Sequence, residues 1–169
     1  GDNFCPCSDY RLVGLYPQRN NGLWMQRVRV LGGGLSGVQW TALAHIARTL
    51  TPDNPLHLTT RQDVEFHGLT DQTVPIAQKL LAQAGMSGLG ACGDTLRNVT
   101  VCPCSGLTAG APDLLPLAGQ LTECFQSQPE AFSLPRKFKI SLSACAEGCG
   151  LGWINDLGFV AVPQEQHWR

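Results

Sequence analysis

Three separated segments carry cationic side chains in settings that suit an anion. Arg61 lies within the polar and apolar alternation of residues 56–67. Arg97 lies in a Gly-rich stretch, where glycines let the backbone approach a ligand and a guanidinium offers a bidentate fork to an oxyanion. Lys137, Lys139 and Ser141 share one face of a predicted strand, and two neighbouring ammonium groups repel each other unless an anion neutralises them. The three segments together predict an anion-binding site.

Each of these features also has a purely structural interpretation. Arg61 could pair with Asp63 or Glu65 on a solvated surface. Arg97 could be the structural arginine of a Gly-rich loop, and the two interpretations are evenly balanced. His67, which follows a strand, is either a proton donor or a hydrogen-bonded structural histidine. A charge run is usually a solvated face, but two lysines aimed the same way just before a cysteine pair favour the anion site.

Eight cysteines in 169 residues point to a second kind of chemistry. We expect an unsecreted chain, because residues 1–11 lack the pattern of a secretion signal, and 43% of its residues are hydrophobic, so ligation of a metal or cluster is favoured over a disulfide framework. Cys145 and Cys149 are four apart across a Gly-containing turn, close enough for both thiolates to reach one cluster. Alone, such a pair would most often be two buried thiols, but its position directly after the lysine strand favours ligation. Cys124 is predicted to be core, and Cys5-Pro6-Cys7 is either an extra ligand pair or a tail.

The bulk composition limits the classes of function. Twelve Lys plus Arg against thirteen Asp plus Glu give a formal charge of −1, which excludes a global field that draws the protein to nucleic acid or an acidic membrane. The chain contains no stretch near the roughly 18 apolar residues of a membrane span. We therefore expect a cytoplasmic protein whose basic site is local.

The periodicity predicts elements of both kinds. Alternation predicts strands at residues 23–31, 56–67, 136–142 and 157–162, with a short strand at 98–101. Ser36 with Gln39 is a capping-box pattern that opens a helix to Leu50, with Val38, Ala42 and Ile46 inward. Further helices are predicted over residues 73–84 and 113–125. The pattern is α+β, with a mixed sheet carrying helices on one side.

Four motifs in this order resemble the first of the two homologous halves of sirohaem-dependent sulfite and nitrite reductases. The resemblance covers residues 22–162. It rests on the entry segment 22–30 with its Gly-rich turn, the T-T-R-Q-x-x-x-x-H-G run from Thr59, the G-D-x-x-R-N-V run from Gly93, and L-P-R-K-F-K from Leu134 with N-D-L-G-F from Asn155. It implies a lead-in over residues 1–22, a ferredoxin-like half domain over 23–70 and a mixed-sheet first sirohaem and [4Fe-4S] domain half over 71–169.

The resemblance also implies roles for particular residues. Arg61, Arg97, Lys137 and Lys139 would surround the distal face of sirohaem and contact its carboxylates and the bound sulfite or nitrite. Sirohaem carries several carboxylates, which gives clustered cations a purpose in a nearly neutral chain. The remaining residues expected to contact the cofactor are Gln62, His67 and Asn98.

In this family a [4Fe-4S] cluster is held by a C-x5-C pair and a C-x3-C pair. Cys145 and Cys149 fit the second pair. The first pair is not matched, because the residue six after Cys102 is Thr108. Cys104 or Cys92 could take its place, or the other ligands could come from another chain.

The length of the chain predicts a partner. Family enzymes assemble their site between two halves, so we expect a second half, as a separate subunit, a second copy or the rest of a longer chain, and an electron-donor protein. One alternative is a corrin-biosynthesis enzyme like precorrin-3B synthase, which binds a tetrapyrrole as substrate. Another is a non-catalytic tetrapyrrole-binding or assembly subunit that completes a partner's site.

Overall fold

The first half of the chain forms an antiparallel sheet covered by two helices. The computed structural model describes residues 10–19, 22–162 and 167–168. The sheet has the order β1-β2-β4-β3. Its elements are β1 (Leu15–Pro17), β2 (Trp24–Val28), α1 (Gly37–Leu50), β3 (His57–Leu58), β4 (Val64–Leu69) and α2 (Thr73–Gln83). The predicted bend in residues 56–67 is confirmed, because β3 and β4 pair as a hairpin in which Leu58 faces Val64.

Helix α1 begins where the sequence predicts. Ser36 accepts from the main-chain N–H of Gln39, whose side chain accepts in return from the main-chain N–H of Ser36, which completes the capping box. The inward face differs from the prediction at its first turn. Val38 is 71% exposed, whereas Leu43 and Ile46 are fully buried. The turns that follow the first, from Leu43 to Leu50, pack on the core that contains Val28, Val64 and Phe66.

The second half forms a mixed sheet of order β5-β6-β7-β8. Its strands are β5 (Thr100–Val101), β6 (Ile140–Ser143), β7 (Leu157–Val162) and β8 (His167–Trp168), and helix α3 (Leu115–Gln126) joins β5 to β6. Strands β5, β6 and β7 are parallel, and β8 is antiparallel to β7. The predicted α+β class with a mixed sheet in the second half is confirmed. The helices serve two separate sheets, because α3 packs its Ala118 on the second core.

Strand β6 corrects the predicted strand over residues 136–142. It begins at Ile140, and all four of its residues are buried. Lys137 and Lys139 therefore precede the strand, although a bridge between Leu96 and Phe138 keeps that segment extended. Ser141 is fully buried and does not share a solvent face with the lysines. A central strand of a parallel sheet is covered on both faces, so alternation in polarity does not report exposure there.

Two other expectations are tested outside the sheets. Cys124, predicted to be core, is exposed, because Ala118 and Thr122 form the buried side of α3. Cys5 and Cys7 lie outside the described residues. Within the described ranges, none of the helices has the length and apolar character that crossing a bilayer requires.

Candidate functional site

Arg61 lies in the turn between β3 and β4, not on a strand as predicted. Its Nη2 donates to the main-chain oxygens of Asn98 at 2.6 Å and Ile140 at 2.8 Å. Its Nη1 donates to Oδ1 of Asn155. The acceptors belong to the second sheet and its loops, so Arg61 joins the two halves of the chain. The alternative in which Arg61 pairs with Asp63 or Glu65 on a solvated surface is therefore wrong.

Gln62 and Asn98 complete this connection. The Gln62 amide donates to the main-chain oxygen of Val101 at 2.6 Å and accepts from the main-chain N–H of Val101 at 2.9 Å, as a neighbouring strand would. Asn98 donates from Nδ2 to the oxygens of Val30 at 2.6 Å and Arg61 at 2.9 Å. Gln62 has φ of 60°, a conformation that costs energy for a residue other than glycine and that these bonds hold in place.

Arg97 is 9% exposed and lies near Arg29, whose Nε and Nη1 are buried although the residue as a whole is half-buried. Its side chain donates to the main-chain oxygen of Ala91. Arg29 donates from Nη2 to the oxygens of Gly90 at 2.7 Å and Leu96 at 2.8 Å. Burial is the main cause that lowers the pKa of Arg29, to about 10, and the charge of Arg97 adds to the shift. The sequence analysis missed Arg29, although its alternation with Val28 and Val30 was the available signal.

One carboxylate serves as the internal counter-charge of the arginines. Asp63 is fully buried, and its Oδ1 accepts from the main-chain N–H of Val30 at 3.3 Å. Burial raises the pKa of Asp63 to about 6, against the opposing effect of Arg29. Burial also lowers the pKa of Arg61, with the neighbouring charge of Arg97 acting in the same direction. Because Arg27 pairs with the other buried carboxylate, Glu65, the guanidinium groups of Arg29, Arg61 and Arg97 share Asp63 and leave an excess of positive charge between the two sheets.

Several polar atoms of this group keep unused hydrogen-bonding capacity. Among the described residues, Nε of Arg29, Arg61 and Arg97 is buried and has no hydrogen-bond partner. The same holds for Oδ2 of Asp63 and Oδ1 of Asn98. Buried donors and acceptors are normally satisfied, so the group has the character of a binding site.

The two lysines flank the main chain that pairs with Arg97. The main-chain N–H of Arg97 donates to the oxygen of Phe138, which lies between them in sequence. Lys137 is exposed and Lys139 is half-buried. The main-chain N–H of Lys139 donates to Oδ2 of Asp156 at 2.8 Å, which fixes the start of β6 next to the loop that holds Asn155. The structure thus brings the lysine segment against the strand end that carries Arg97.

His67 belongs to a neighbouring hydrogen-bonded chain. Its Nε2 lies 3.1 Å from Oε2 of Glu65, and its Nδ1 lies 3.2 Å from Nε2 of Gln18. Burial opposes ionisation of Glu65, but its bonds to Arg27 and His67 hold the pKa of this carboxyl below its usual range. Arg27 also donates to the oxygen of Ala91, the acceptor of Arg97. His67 therefore reaches the arginine group through intervening residues and not by direct contact.

Three cysteine sulfurs converge at the other end of the second sheet. The sulfurs of Cys104, Cys145 and Cys149 all lie within 4.8 Å of one another, and those of Cys104 and Cys149 are 3.8 Å apart. Cys102 lies outside this group, and its Sγ accepts from the main-chain N–H of Ala144 at 3.1 Å. Desolvation and the neighbouring thiols raise the pKa of Cys149 to about 11. Cys92, considered above as a substitute ligand, is buried instead near Arg27 and Arg97.

Glycines allow the cysteine loop to fold back on β6. The main-chain N–H of Gly150 donates to Oγ of Ser143 at 3.1 Å, and a Cβ at Gly150 would lie 2.5 Å from that oxygen. Gly148 has φ of 62°, and a Cβ there would lie 2.7 Å from the ring of Trp153. These close approaches place Cys149 beside the sulfurs that follow β5. Cys145 and Cys149 are close in sequence and could be predicted as a pair. The approach of Cys104 depends on contact between distant segments, so the sequence left the first pair open.

The comparisons with known proteins agree with this arrangement in two halves. The nitrite/sulfite reductase ferredoxin-like half domain matches residues 16–84, and the nitrite and sulphite reductase 4Fe-4S domain matches residues 92–168. The chain belongs to the nitrite and sulfite reductase family. An assimilatory ferredoxin-dependent nitrite reductase of Haloferax mediterranei is 32% identical to this chain in an alignment of 168 residues. The match covers 92% of this chain and 29% of that protein.

Other members of the nitrite and sulfite reductase family give the same picture. The sulfite reductase [NADPH] hemoprotein beta-component of Acidithiobacillus ferrooxidans is 31% identical, with 84% of this chain and 29% of that protein covered. The Mycobacterium tuberculosis NirA structure superposes with a TM-score of 0.80 at 27% identity, covering 90% of this chain and 31% of that one. The chain thus spans less than a third of the relatives it matches. These matches favour a reductase over a corrin-biosynthesis enzyme.

Proposed function

We propose that this chain is the N-terminal-type half of an oxidoreductase that uses sirohaem and a [4Fe-4S] cluster to reduce sulfite or nitrite. The observation that carries the proposal is that Arg61 and Arg97, with Arg29, enter one electrostatically coupled group with the buried carboxylate of Asp63, and that Arg61 donates to the main-chain oxygen of Asn98, the residue next to Arg97. Both motif arginines of the family pattern enter one buried group although 36 residues separate them. The division into a lead-in, a ferredoxin-like half domain over 23–70 and a cofactor domain over 71–169 is part of the proposal.

The arginine group fits an anionic tetrapyrrole and an oxyanion substrate. Its excess positive charge and its unpartnered Nε atoms suit carboxylates, since a charge-assisted hydrogen bond is about twice as strong as a neutral one. Arg61, Arg97, Lys137 and Lys139 would contact the sirohaem carboxylates and the substrate. Gln62 and Asn98 would act through Arg61, whose turn they hold. His67 would act through Glu65, to which it is hydrogen-bonded and which in turn accepts from Arg27.

The cysteine group fits the cluster in number and in donor chemistry. Four thiolates are the usual ligand set of a [4Fe-4S] cluster. Cys104, Cys145 and Cys149 lie together, and Cys102 would complete the set by moving its sulfur toward them. The first pair has C-x-C spacing where the family has C-x5-C, and the turn of residues 102–105 accompanies the approach of Cys104 to the second pair. When bound, the cluster and sirohaem together supply the electrons for reduction.

The residues of this chain would contribute charge and protons. The substrate is an anion that sheds oxygen as water, so positive charge at its oxygens stabilises the charge that develops there. Lys137 and Lys139 carry donors on mobile stems and suit proton delivery, whereas Arg61 and Arg97 are held by main-chain oxygens and suit orientation. Sulfite and nitrite are both small oxyanions, and the same cations would serve either.

A second half would cover the apolar surface beside the cysteines. Trp153 is 72% exposed and Ile154 is 66% exposed, and both follow the loop of Cys149 directly. Leu107, which follows Cys104, is 85% exposed. Large side chains of this kind clustered beside a candidate cofactor site are typical of an interface. The partner we propose is the homologous second half, with an electron-donor protein acting on the assembly.

Cofactor analysis of the native assembly tests the function. We expect the absorption bands of sirohaem together with iron and acid-labile sulfide. Lys137→Gln and Lys139→Gln should lower turnover of sulfite or nitrite by at least about tenfold while leaving the cofactor content unchanged, because removal of a charge that acts in the transition state affects the chemical step. Lys79→Gln, on the exposed face of α2, is the matched control. A purified assembly without sirohaem bands contradicts the proposal.

A further inference from the structure

We infer that His57, Glu65 and His67 form a binding site for a divalent transition-metal ion such as Zn²⁺. The three side chains lie on the antiparallel sheet of the first half. They include none of the cysteines and none of the three arginines that share Asp63, so the site is separate from the groups of the proposed function. Only His67 belongs to the family motif, because Glu65 stands at one of its variable positions and His57 precedes it.

The pairing of β3 with β4 brings the three side chains together. His57 lies directly opposite Glu65 in this antiparallel hairpin. His67 follows Glu65 by two residues on β4, so it projects from the same face of the sheet. Residues directly opposite each other on one face have Cβ atoms about 5 Å apart, and a diagonal neighbour is within reach of a long or aromatic side chain. The strand register therefore places two imidazoles and a carboxylate side by side.

The distances between the ligand atoms match one ion. Nε2 of His67 lies 3.1 Å from Oε2 of Glu65, and Nδ1 of His57 lies 3.6 Å from the same oxygen. The three ligand atoms all lie within 4.8 Å of one another. With bonds of about 2.0–2.2 Å from zinc to nitrogen or oxygen, tetrahedral geometry separates two ligand atoms by about 3.4 Å. The imidazole rings stand at 84° to each other, so both can reach this oxygen without stacking.

Arg27 leaves one oxygen of Glu65 for the ion. Its Nε and Nη2 lie 2.7 Å and 2.6 Å from Oε1, which holds the carboxylate in place, and Oε2 is the oxygen that faces the histidines. Two imidazoles and one carboxylate, with a position left for water, are a known ligand set for zinc, and imidazole nitrogens favour transition metals over Mg²⁺. A cleft of about 510 Å³, lined in part by Tyr16, Gln18 and His67, lets a hydrated ion approach.

Gln18 determines which nitrogen of His67 carries the ring proton. Its Oε1 accepts from the main-chain N–H of Gly68 at 2.7 Å, which leaves its Nε2 3.2 Å from Nδ1 of His67. Nδ1 is therefore the acceptor, and Nε2 carries the proton that Glu65 accepts. A bound ion replaces this proton, which moves through solvent to Nδ1, so the ring stays neutral and no oxidation state changes. Oε1 of Gln18 can then accept from Nδ1–H as well as from Gly68, because a carbonyl oxygen has two lone pairs and the amide can turn.

Zinc titration of the full-length chain, isotopically labelled at its histidine nitrogens and followed by NMR, tests the site. The imidazole signals measure ligation by histidine directly, whatever ions the thiols bind. We expect the signals of His57 and His67 to change together and to saturate at the same zinc concentration, while those of His45, which is exposed on α1, stay unchanged. Mg²⁺ at the same concentration should change none of them. None of these results depends on sirohaem or on the cluster.

Three substitutions complete the test. His57→Ala removes an exposed ligand without disturbing the core and should raise the zinc concentration needed to shift His67 by at least about tenfold. His45→Ala is the matched control and should leave that concentration unchanged. Gln18→Glu should lower it about tenfold, because a carboxylate that accepts from Nδ1–H makes Nε2 a stronger ligand. A response of His67 that does not depend on His57, or equal responses of both and of His45, would overturn the site.

Discussion

Arg61 and Asn98 hold each other by two reciprocal hydrogen bonds across the boundary between the two sheets. Nη2 of Arg61 donates to the main-chain oxygen of Asn98 at 2.6 Å, and Nδ2 of Asn98 donates to the main-chain oxygen of Arg61 at 2.9 Å. Both residues belong to motifs of the reductase family. Their pairing means that the turn of one half domain and the strand end of the other are positioned together, so a change at either residue alters the arginine group as a whole.

Replacement of Arg61 by lysine should destabilise the chain by about 2–4 kcal/mol, because one ammonium group cannot serve the three acceptors that the planar guanidinium now serves. Urea unfolding followed by circular dichroism measures the change. Arg48→Lys on the exposed side of α1 is the matched control and should change stability by less than about 0.5 kcal/mol. Equal stability of the two variants would contradict the bridging role of Arg61.

Gln62→Glu should destabilise the chain by about 2–4 kcal/mol, because a carboxylate oxygen would then face the main-chain oxygen of Val101 where an amide now donates. The main-chain N–H of Val101 can still donate to the other side-chain oxygen of residue 62. The loss of stability therefore measures only the contact with the main-chain oxygen of Val101. Gln120→Glu, on the exposed side of α3, introduces the same charge as a control. If lowering the pH to 4 fails to restore part of the stability of Gln62→Glu, the reversed contact is not the cause.

Asp63 should make the chain less stable as the pH rises between about 4 and 6. The folded pKa is raised to about 6 from an ordinary value of 3.8, so in this window the folded state keeps a proton that the unfolded state has released. The free energy of unfolding then falls with pH, and a shift of about two units corresponds to roughly 3 kcal/mol. The difference between wild type and Asp63→Asn isolates this contribution. A difference that stays constant across the window would contradict the buried carboxylate.

Gly158→Ala should destabilise the second sheet by about 1–3 kcal/mol, because a Cβ at this position would lie 2.4 Å from Cα of Gly152 and 2.6 Å from its oxygen. Backbone cannot yield as a side chain can, so the short helix Gly152–Ile154 must shift away from β7. Gly37→Ala at the first turn of α1 meets no atom within 4 Å and serves as the control. Thermal unfolding of both variants measures the effect, and an unchanged midpoint for Gly158→Ala contradicts the close packing.

The local elements and the kinds of chemistry present could be predicted from the order of residues. Hydrophobic periodicity and the capping box located α1, and the polar positions in residues 56–67 pointed to Arg61. Motif order identified the family, because four motifs in sequence agree only in related chains. These properties depend on residues that are close together in sequence, so they can be predicted from the sequence pattern.

Which of these groups meet follows only from the packing of distant segments. The role of Arg29 depends on main-chain oxygens more than 60 residues away, and no local pattern distinguishes it from the neighbouring Arg27. The convergence of Cys104 on Cys145 and Cys149 depends on the pairing of β5 with β6. Burial of the whole of β6 also left Ser141 without the solvent face predicted for it. Contacts between distant segments follow from packing, and packing is fixed only when both sheets have formed.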